Sequence, residues 1–268
     1  MIDNRAIIKI GAKIHPDSEI GPFSCIGKNV EIARGVKIHP HVCIDGITYI
    51  GESTEIFPFA AIGLPPQDLK YNGEKSAVII GKNNRIREYC TINTGTKQGN
   101  MSTKIGNSCL FMTGSHIAHD CIVGNNVVLA NNATLGGHVI LDDNVIIGGL
   151  AAVHQFVRIG KFSIIGGVSA VVENVAPFVS VAGDRAKIVG INITGMKRNN
   201  FSKRSINIIK DVFKEVFNNN NDKGFDEKII LINDNYHYKE AKEIVEFFRI
   251  NNKRGFCMPK NKWKINGK

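Results

Sequence analysis

Large apolar residues fall on every sixth position through most of this chain. From Ile8 the beat runs through Ile14, Ile20, Ile26, Ile32, Ile38, Ile44, Ile50, Ile56 and Ile62 without a miss. It resumes at Ile80, Ile86 and Ile92. From Ile105 it continues through Phe111, Ile117, Val123, Leu129, Leu135, Leu141, Ile147, Val153, Ile159, Ile165 and Val171. A second beat lies inside the first, with a small residue four places after each large one: Ser18, Ser24, Val30 and Val36 early, Cys109, Ser115, Cys121 and Ala133 late. That residue stands two before the next large one, so both face the same way on an extended segment. The positions between them are rich in Gly, Asn, Asp and Pro, which suit corners. Neither a helical period nor the spacing of hairpin strands gives this pattern. A coil of parallel β-structure does, each turn burying its apolar side against its neighbours.

Two interruptions stand out. Residues 63–79 leave the beat, and a second break spans Thr94 to Thr103, where the thirteen steps from Ile92 to Ile105 predict one inserted residue of phase. Loops that leave a rigid scaffold commonly carry function. Residues 105–176 are the cleanest coils, and Pro177 is expected to end them, with a connector from Phe178 to Gly195. From Phe201 the spacing turns helical. Ser202 can cap a helix over Lys203 to Phe217, the run Asn218 to Asn221 breaks it, and two more helices are expected at Phe225 to Asn233 and Tyr238 to Asn251. The basic end from Cys257 to Lys268 is expected to fray. These patterns divide the chain into a coil domain, 1–187, and a connector with a helical domain, 188–268.

Charge adds to this picture. The chain carries a formal net charge of +10, of which residues 188–268 supply 17 Lys and Arg against 9 Asp and Glu. A basic surface attracts acidic partners. Nucleic acid is disfavoured, because the basic stretch lacks interleaved aromatics and any recognisable nucleic-acid motif. No run of about eighteen apolar residues marks a membrane span, and the first residues lack signal-peptide character, so a cytoplasmic protein is expected. The six cysteines form no CxxC pair, and Cys90, Cys109 and Cys121 fall on the small inward slot, where buried hydrophobes are expected.

Four histidines cluster in the late coils: His116, His119, His138 and His154. Eighteen residues after His119 stands Gly137, beside His138, and eighteen further stands Gln155, beside His154. The beat resembles that of left-handed β-helix proteins, in which three hexapeptides make a coil of eighteen residues; on that resemblance these residues lie near one edge, one strand spacing apart per coil, and His119 and His138 are expected to face outward from corners. The residues alone leave three readings open: corner histidines bonded to backbone carbonyls, a metal site, or a general base with substrate-binding neighbours.

Longer strings narrow the choice. The hexapeptide beat resembles that of left-handed parallel β-helix transferases, in which three hexapeptides make one triangular coil. The segments Gly114–Cys121, Leu129–His138, Ala152–Phe156, Gln67–Glu74, Arg85–Glu88 and Gly190–Arg198 closely resemble those of the UDP-N-acetylglucosamine O-acyltransferases that open lipid A synthesis. The resemblance covers about residues 1–217.

It implies a homotrimer that moves an (R)-3-hydroxyacyl chain from acyl carrier protein to the glucosamine 3-hydroxyl of UDP-N-acetylglucosamine. No metal and no resident cofactor would be needed, since phosphopantetheine arrives on the carrier. By resemblance His119 is the general base, Asp120 its orienter and the Gly137 N–H an oxyanion donor. Gln67, Asp68 and Lys70 would contact acyl chain and sugar, while His116, His138, His154 and Gln155 would bind the sugar nucleotide. Asn192 and Arg198 would face the carrier's arm and surface. Gly167 would leave room for a long donor, about fourteen carbons or more. One departure is Asn199, where the family commonly has a second arginine; Lys197, Lys203 or Arg204 could replace it. Two alternatives stand beside this reading. The pathway's N-acyltransferase would be expected to carry a further N-terminal domain before its coils, and a hexapeptide zinc carbonic anhydrase would need three histidines converging on one ion.

Overall fold

The structure, a computed structural model, describes residues 1–217, 224–235, 238–250 and 254–260. The six-residue beat folds as expected, into a left-handed parallel β-helix of triangular section. Among the described residues its three sheets hold nine, eight and ten strands, and nearly every strand pairs in parallel with the strand one coil away. The register aligns the beat with itself: Ile26 pairs with Ile44, Ile44 with Ile62, Ile117 with Leu135 and Leu135 with Val153.

Each aligned residue points inward, and the small beat fills the space between. Ile44, Ile50, Ile56, Ile62, Ile80 and Ile86 are wholly buried in one continuous core with Val127, Ala133 and Val145. At about 1.5–3 kcal/mol for each fully buried large aliphatic side chain, this stack is the main stabilising feature of the coil. Cys90, Cys109 and Cys121 occupy inward slots as expected, and burial pushes the Cys109 thiol up to about 11 and that of Cys121 to about 12. These thiols are inert packing groups.

The corners take left-handed backbone even where no glycine is present. Phe23, His41, Phe59 and Tyr89 have φ of 59°, 60°, 65° and 59°, and on the next corner Asp120, His138 and Phe156 have 59°, 62° and 65°. Such conformations cost free energy for side-chain-bearing residues. Here a corner ladder offsets the cost: the His138 N–H donates to the His119 carbonyl at 3.0 Å and the Phe156 N–H to that of Gly137 at 3.1 Å.

Both interruptions sit at one place, the corner between the first and second sheets of successive coils. Ile62 pairs with Ile92, thirty residues on, and Ile92 with Ile117, twenty-five on, against eighteen elsewhere. The second interruption is thus seven residues beyond a regular coil, not the single residue of phase expected from counting hexads. The next coil turns the same corner through His119 and Asp120.

The coil also continues past Pro177. Phe178 donates its N–H to the Lys161 carbonyl, Val179–Ala182 pairs in parallel with Ile164–Ile165, and Lys187–Ile191 then adds an antiparallel strand. Proline at a corner gives up no ladder bond, so the sheet survives it. The strand Lys187–Ile191 runs across the 187/188 division.

Four helices follow: α1 (Ile193–Arg198), α2 (Lys203–Val216), α3 (Phe225–Asn235) and α4 (Lys239–Arg249). Ser202 caps α2 as expected, accepting from the Ser205 N–H. α1 begins inside the expected connector and runs three residues past its end at Gly195, and it is too short for its periodicity to stand out. The helices bury Ile209, Val212, Phe213, Ile244 and Phe247 in the core that continues from the coil. Residues 254–260 pack back on the coil, so Cys257 to Lys260 do not fray: Phe256 bridges to Asn174 and Pro259 to Ile188, with Cys257 buried between them. Asn218 to Asn221, His237 and residues 261–268 lie outside the described residues. No described helix is long and apolar enough to cross a membrane.

Candidate active site

His119 is buried, only 5% exposed, and Asp120 is 1% exposed. His119 does not face solvent from its corner as expected. The two interruptions lie on the coils immediately before it and cover that corner.

The second interruption is a nest for the Asp120 carboxylate. The Thr96 N–H donates to both carboxylate oxygens at 3.1 and 3.0 Å, the Thr96 hydroxyl at 2.6 Å and the Asn100 N–H at 2.8 Å. Gly95 and Gly99 flank this nest, and a Cβ on either would collide with the carboxylate. His119 Nδ1 completes it at 2.9 Å from Asp120 Oδ2. Burial alone would raise the Asp120 pKa, but the bonds from His119, Thr96 and Asn100 outweigh it and hold the carboxyl below its usual value. An ionised carboxylate only accepts hydrogen bonds. Nδ1 of His119 therefore carries the proton, and the Nε2 lone pair is left for chemistry.

The first interruption brings Asp68 to that nitrogen. Its Oδ2 lies 3.8 Å from His119 Nε2, too far for a hydrogen bond and near enough to share a bound hydroxyl. Gln67 and Lys70 stand exposed on the same loop. The loop comes from the same chain as the His119 it approaches.

The coil below supplies Gly137 and His138. His138 packs edge-on to His119 with ring centroids 5.0 Å apart and lies flat on Phe156 at 4.3 Å. Gly137 lies directly under the imidazole of His119, close enough that no side chain fits. His116, on the strand His116–Ile117, is half-buried and bonded through Nδ1 to the Thr91 hydroxyl at 2.6 Å. Burial first, and then His119 nearby, lowers its pKa, so it stays neutral at physiological pH.

Other expected residues lie further along the coil. The Arg254 guanidinium holds His154 Nδ1 at 2.8 Å and the Gln155 carbonyl at 3.1 Å, which leaves the exposed Gln155 side chain unoccupied by that contact. Asn192 is buried; its carboxamide caps α1 by accepting from the Gly195 N–H and donates to the Phe162 carbonyl. Arg198 is exposed in the last turn of α1, and Asn199, in place of a second arginine, donates to the Gly195 carbonyl as a C-terminal cap. Of the possible replacements, Arg204 lies over the Tyr238 ring, while Lys197 and Lys203 are exposed. Gly167 is exposed on a different corner from His119, between Ile164–Ile165 and Ala170–Val171, and is stacked on Gly149.

Sequence reasoning missed Thr96, Asn100, Phe156 and Arg254. Gly95 and Gly99 were the available signal for the nest, since paired glycines around a polar residue often free backbone N–H groups for an anion.

His119, Asp120 and His138 also meet the spacing of a metal-binding group, their ligand atoms lying within 4.8 Å of one another. The donor set fits a cation poorly. The Asp120 oxygens are already taken by four donors, and the Nδ1 proton of His119 points at Asp120, so the ligand lone pairs do not converge.

The chain is similar to known proteins over most of its length. The family profile described as UDP N-acetylglucosamine O-acyltransferase, domain 2, matches residues 174–257, and the bacterial transferase hexapeptide profile matches residues 11–46 and 102–137. An acyl-(acyl-carrier-protein)–UDP-N-acetylglucosamine O-acyltransferase of Aliarcobacter butzleri (strain RM4018) is 45% identical over 254 residues, covering 95% of this chain and 96% of its own. Its counterpart from Sulfurovum sp. (strain NBC37-1) is 52% identical over 79% of this chain and 81% of its own. A crystal structure of a UDP-N-acetylglucosamine acyltransferase, 42% identical, superposes with a TM-score of 0.93 over 97% of this chain and 100% of that one. With such identity across nearly the whole of both chains, this protein belongs to the UDP-N-acetylglucosamine O-acyltransferase family.

Proposed function

We propose that this chain transfers an (R)-3-hydroxyacyl group from acyl carrier protein to the 3-hydroxyl of UDP-N-acetylglucosamine, the first step of lipid A synthesis. The observation that carries the mechanism is the His119–Asp120 pair, buried and polarised so that Nε2 is the free base. His119 Nε2 removes the proton of the sugar hydroxyl as its oxygen attacks the thioester carbonyl. The Gly137 N–H donates to the oxyanion that forms, a preorganised contact in a water-poor site. As the intermediate collapses, the carbon–sulfur bond breaks and the His119 imidazolium returns its proton to the departing phosphopantetheine thiolate. Asp120 stays ionised throughout and stabilises the imidazolium.

Asp68 shares the attacking hydroxyl with His119, and Gln67 and Lys70 extend the loop over sugar and acyl chain. His116, His138, His154 and Gln155 line the sugar-nucleotide side. Asn192 sets the start of α1, and Arg198 at its end is offered to the acidic carrier. No resident cofactor enters this scheme. Three copies would assemble so that one coil's site faces its neighbour, in the cytoplasm where both substrates arise. The coil, residues 1–187, would be the catalytic unit and residues 188–268 the carrier-facing one, although the strand Lys187–Ile191 joins them.

The test is steady-state assay of the purified protein with 3-hydroxyacyl carrier protein and UDP-N-acetylglucosamine; absence of O-acylated product from the folded protein would refute the reading. The alternatives predict different products: an N-acyltransferase would acylate an amine acceptor, and a carbonic anhydrase would hold a stoichiometric metal. The same assay reads donor length. Gly167→Met adds a side chain to an open edge, so the preferred donor is expected to shorten from about fourteen carbons or more. Unchanged chain preference would remove Gly167 from the acyl path.

A further inference from the structure

The two interruptions of the coil are tied at their bases by backbone bonds, from the Thr94 N–H to the Leu64 carbonyl at 3.2 Å and from the Ala77 N–H to the Met101 carbonyl at 2.9 Å, and between their interiors by one side chain, Glu74. Its Oε1 accepts from the Lys97 N–H at 2.9 Å, and Lys97 directly follows Thr96 of the Asp120 nest. Its Oε2 accepts from the Asn72 N–H at 2.8 Å within the first loop. That loop is tied on itself as well. The Asp68 side chain accepts from the Lys70 N–H at 2.9 Å, the Tyr71 N–H donates to the Asp68 carbonyl at 3.0 Å, and the Tyr71 hydroxyl reaches the Glu74 carbonyl at 3.2 Å. The contacts close into a ring: His119 Nδ1 to Asp120, Asp120 to Thr96, Lys97 to Glu74, and the first loop back through Asp68 to His119 Nε2.

We propose that Glu74 is a positioning residue, a clasp between the two loops that sets the gap between Asp68 and His119 Nε2. The Asp68–His119 distance of 3.8 Å is not closed by any bond of its own, so something else must hold it. Packing anchors only the start of the loop, at the buried Pro66: Gln67, Leu69 and Lys70 are exposed, Leu69 wholly so. The Glu74 carboxylate is suited to the task because charge-assisted bonds to backbone N–H groups are the stronger kind. The Lys97 N–H, with the N–H groups of Glu74 itself and Asn72, holds that carboxyl below its usual value, so it is ionised at working pH.

The inference rests on His119 and Asp68 sharing the acceptor hydroxyl, and it separates two roles. Thr96 and Asn100 hold Asp120 without Glu74, so the base survives loss of the clasp. What is lost is the preset position of the Asp68 loop, which is a cost in substrate binding.

The experiment is a kinetic comparison of Glu74→Ala, Glu74→Gln and wild type. For Glu74→Ala, KM for UDP-N-acetylglucosamine is expected to rise roughly tenfold with kcat within about threefold; that rise corresponds to about 1.4 kcal/mol. Glu74→Gln keeps one acceptor oxygen and should fall between the two. Hydrogen exchange should quicken in peptides spanning 64–77 of Glu74→Ala. An unchanged KM, a loss confined to kcat, or a Gln variant no better than Ala would overturn the clasp. His119→Ala separates the two readings: inactive His119→Ala with wild-type KM in Glu74→Ala sinks the clasp alone, whereas active His119→Ala sinks the base assignment beneath it.

Discussion

His119→Ala is expected to lower kcat by roughly a hundredfold to ten-thousandfold, the range over which positioned general bases act. KM for UDP-N-acetylglucosamine should change far less, because Asp68, His116 and His138 remain. The size of the effect follows from the site's construction. A solvent-exposed histidine could be replaced in part by water, but His119 is buried beneath two loops, and truncation leaves the Asp120 carboxylate with a lost donor and no base at the attack position. Asp120→Asn tests the other end of the pair. The carboxylate now accepts from Thr96, Asn100 and His119. A carboxamide must turn its NH2 toward at least one of those donors, so both His119 orientation and loop stability should suffer. The sign of its pH dependence is fixed by the lowered folded-state pKa of Asp120. Its contribution to stability is present above the unfolded carboxyl pKa and is lost as pH falls through the lower folded value. Steady-state rates and denaturant melts of both variants measure these outcomes. A His119→Ala enzyme with wild-type kcat would show that another group takes the proton.

The coil was legible because its rule is local. One inward residue every six positions places every strand, and the eighteen-residue coil implied by the family resemblance puts His119, Gly137 and Gln155 in one column. The rule failed where chain left the coil. Counting hexads across Ile92 to Ile105 gave one inserted residue, since periodicity registers a shift only modulo six; strand pairing gives seven. The burial of His119 was hidden for the same reason: what covers it is contributed by chain with no period, folded back from Thr96 and Asp68. Contacts across long separations were equally invisible. Arg254 meets His154 from a hundred residues away, and nothing near either residue signals it. Asn192 illustrates a different limit. Its motif was recognisable, but its side chain caps a six-residue helix too short to be read from spacing.

Gly137→Ala is expected to lower kcat by about a hundredfold or more while leaving the coil folded. A Cβ on Gly137 would lie 2.5 Å from His119 Nε2 and 3.1 Å from Nδ1, the first well inside any real contact. The ring has little room to retreat. Asp120 holds its Nδ1 at 2.9 Å, and His138 stands edge-on at 5.0 Å. Moving the coils apart instead would break the corner bond between the His138 N–H and the His119 carbonyl. The least costly response is rotation of the imidazole away from Asp120, which gives up the proton position that makes Nε2 a base. Misplacement of a reacting group by about 1 Å commonly costs on the order of a hundredfold in rate, whereas overpacking costs about 1–3 kcal/mol of stability, which a long solenoid tolerates. The variant should therefore melt as one transition, somewhat below wild type, and still bind UDP-N-acetylglucosamine. Gly190→Ala is the matched control, because a Cβ there has nothing within 4 Å. Gly137→Ala turning over at the wild-type rate would mean that the imidazole is not held where the coil stacking places it, and the column of His119 over Gly137 would lose its catalytic meaning.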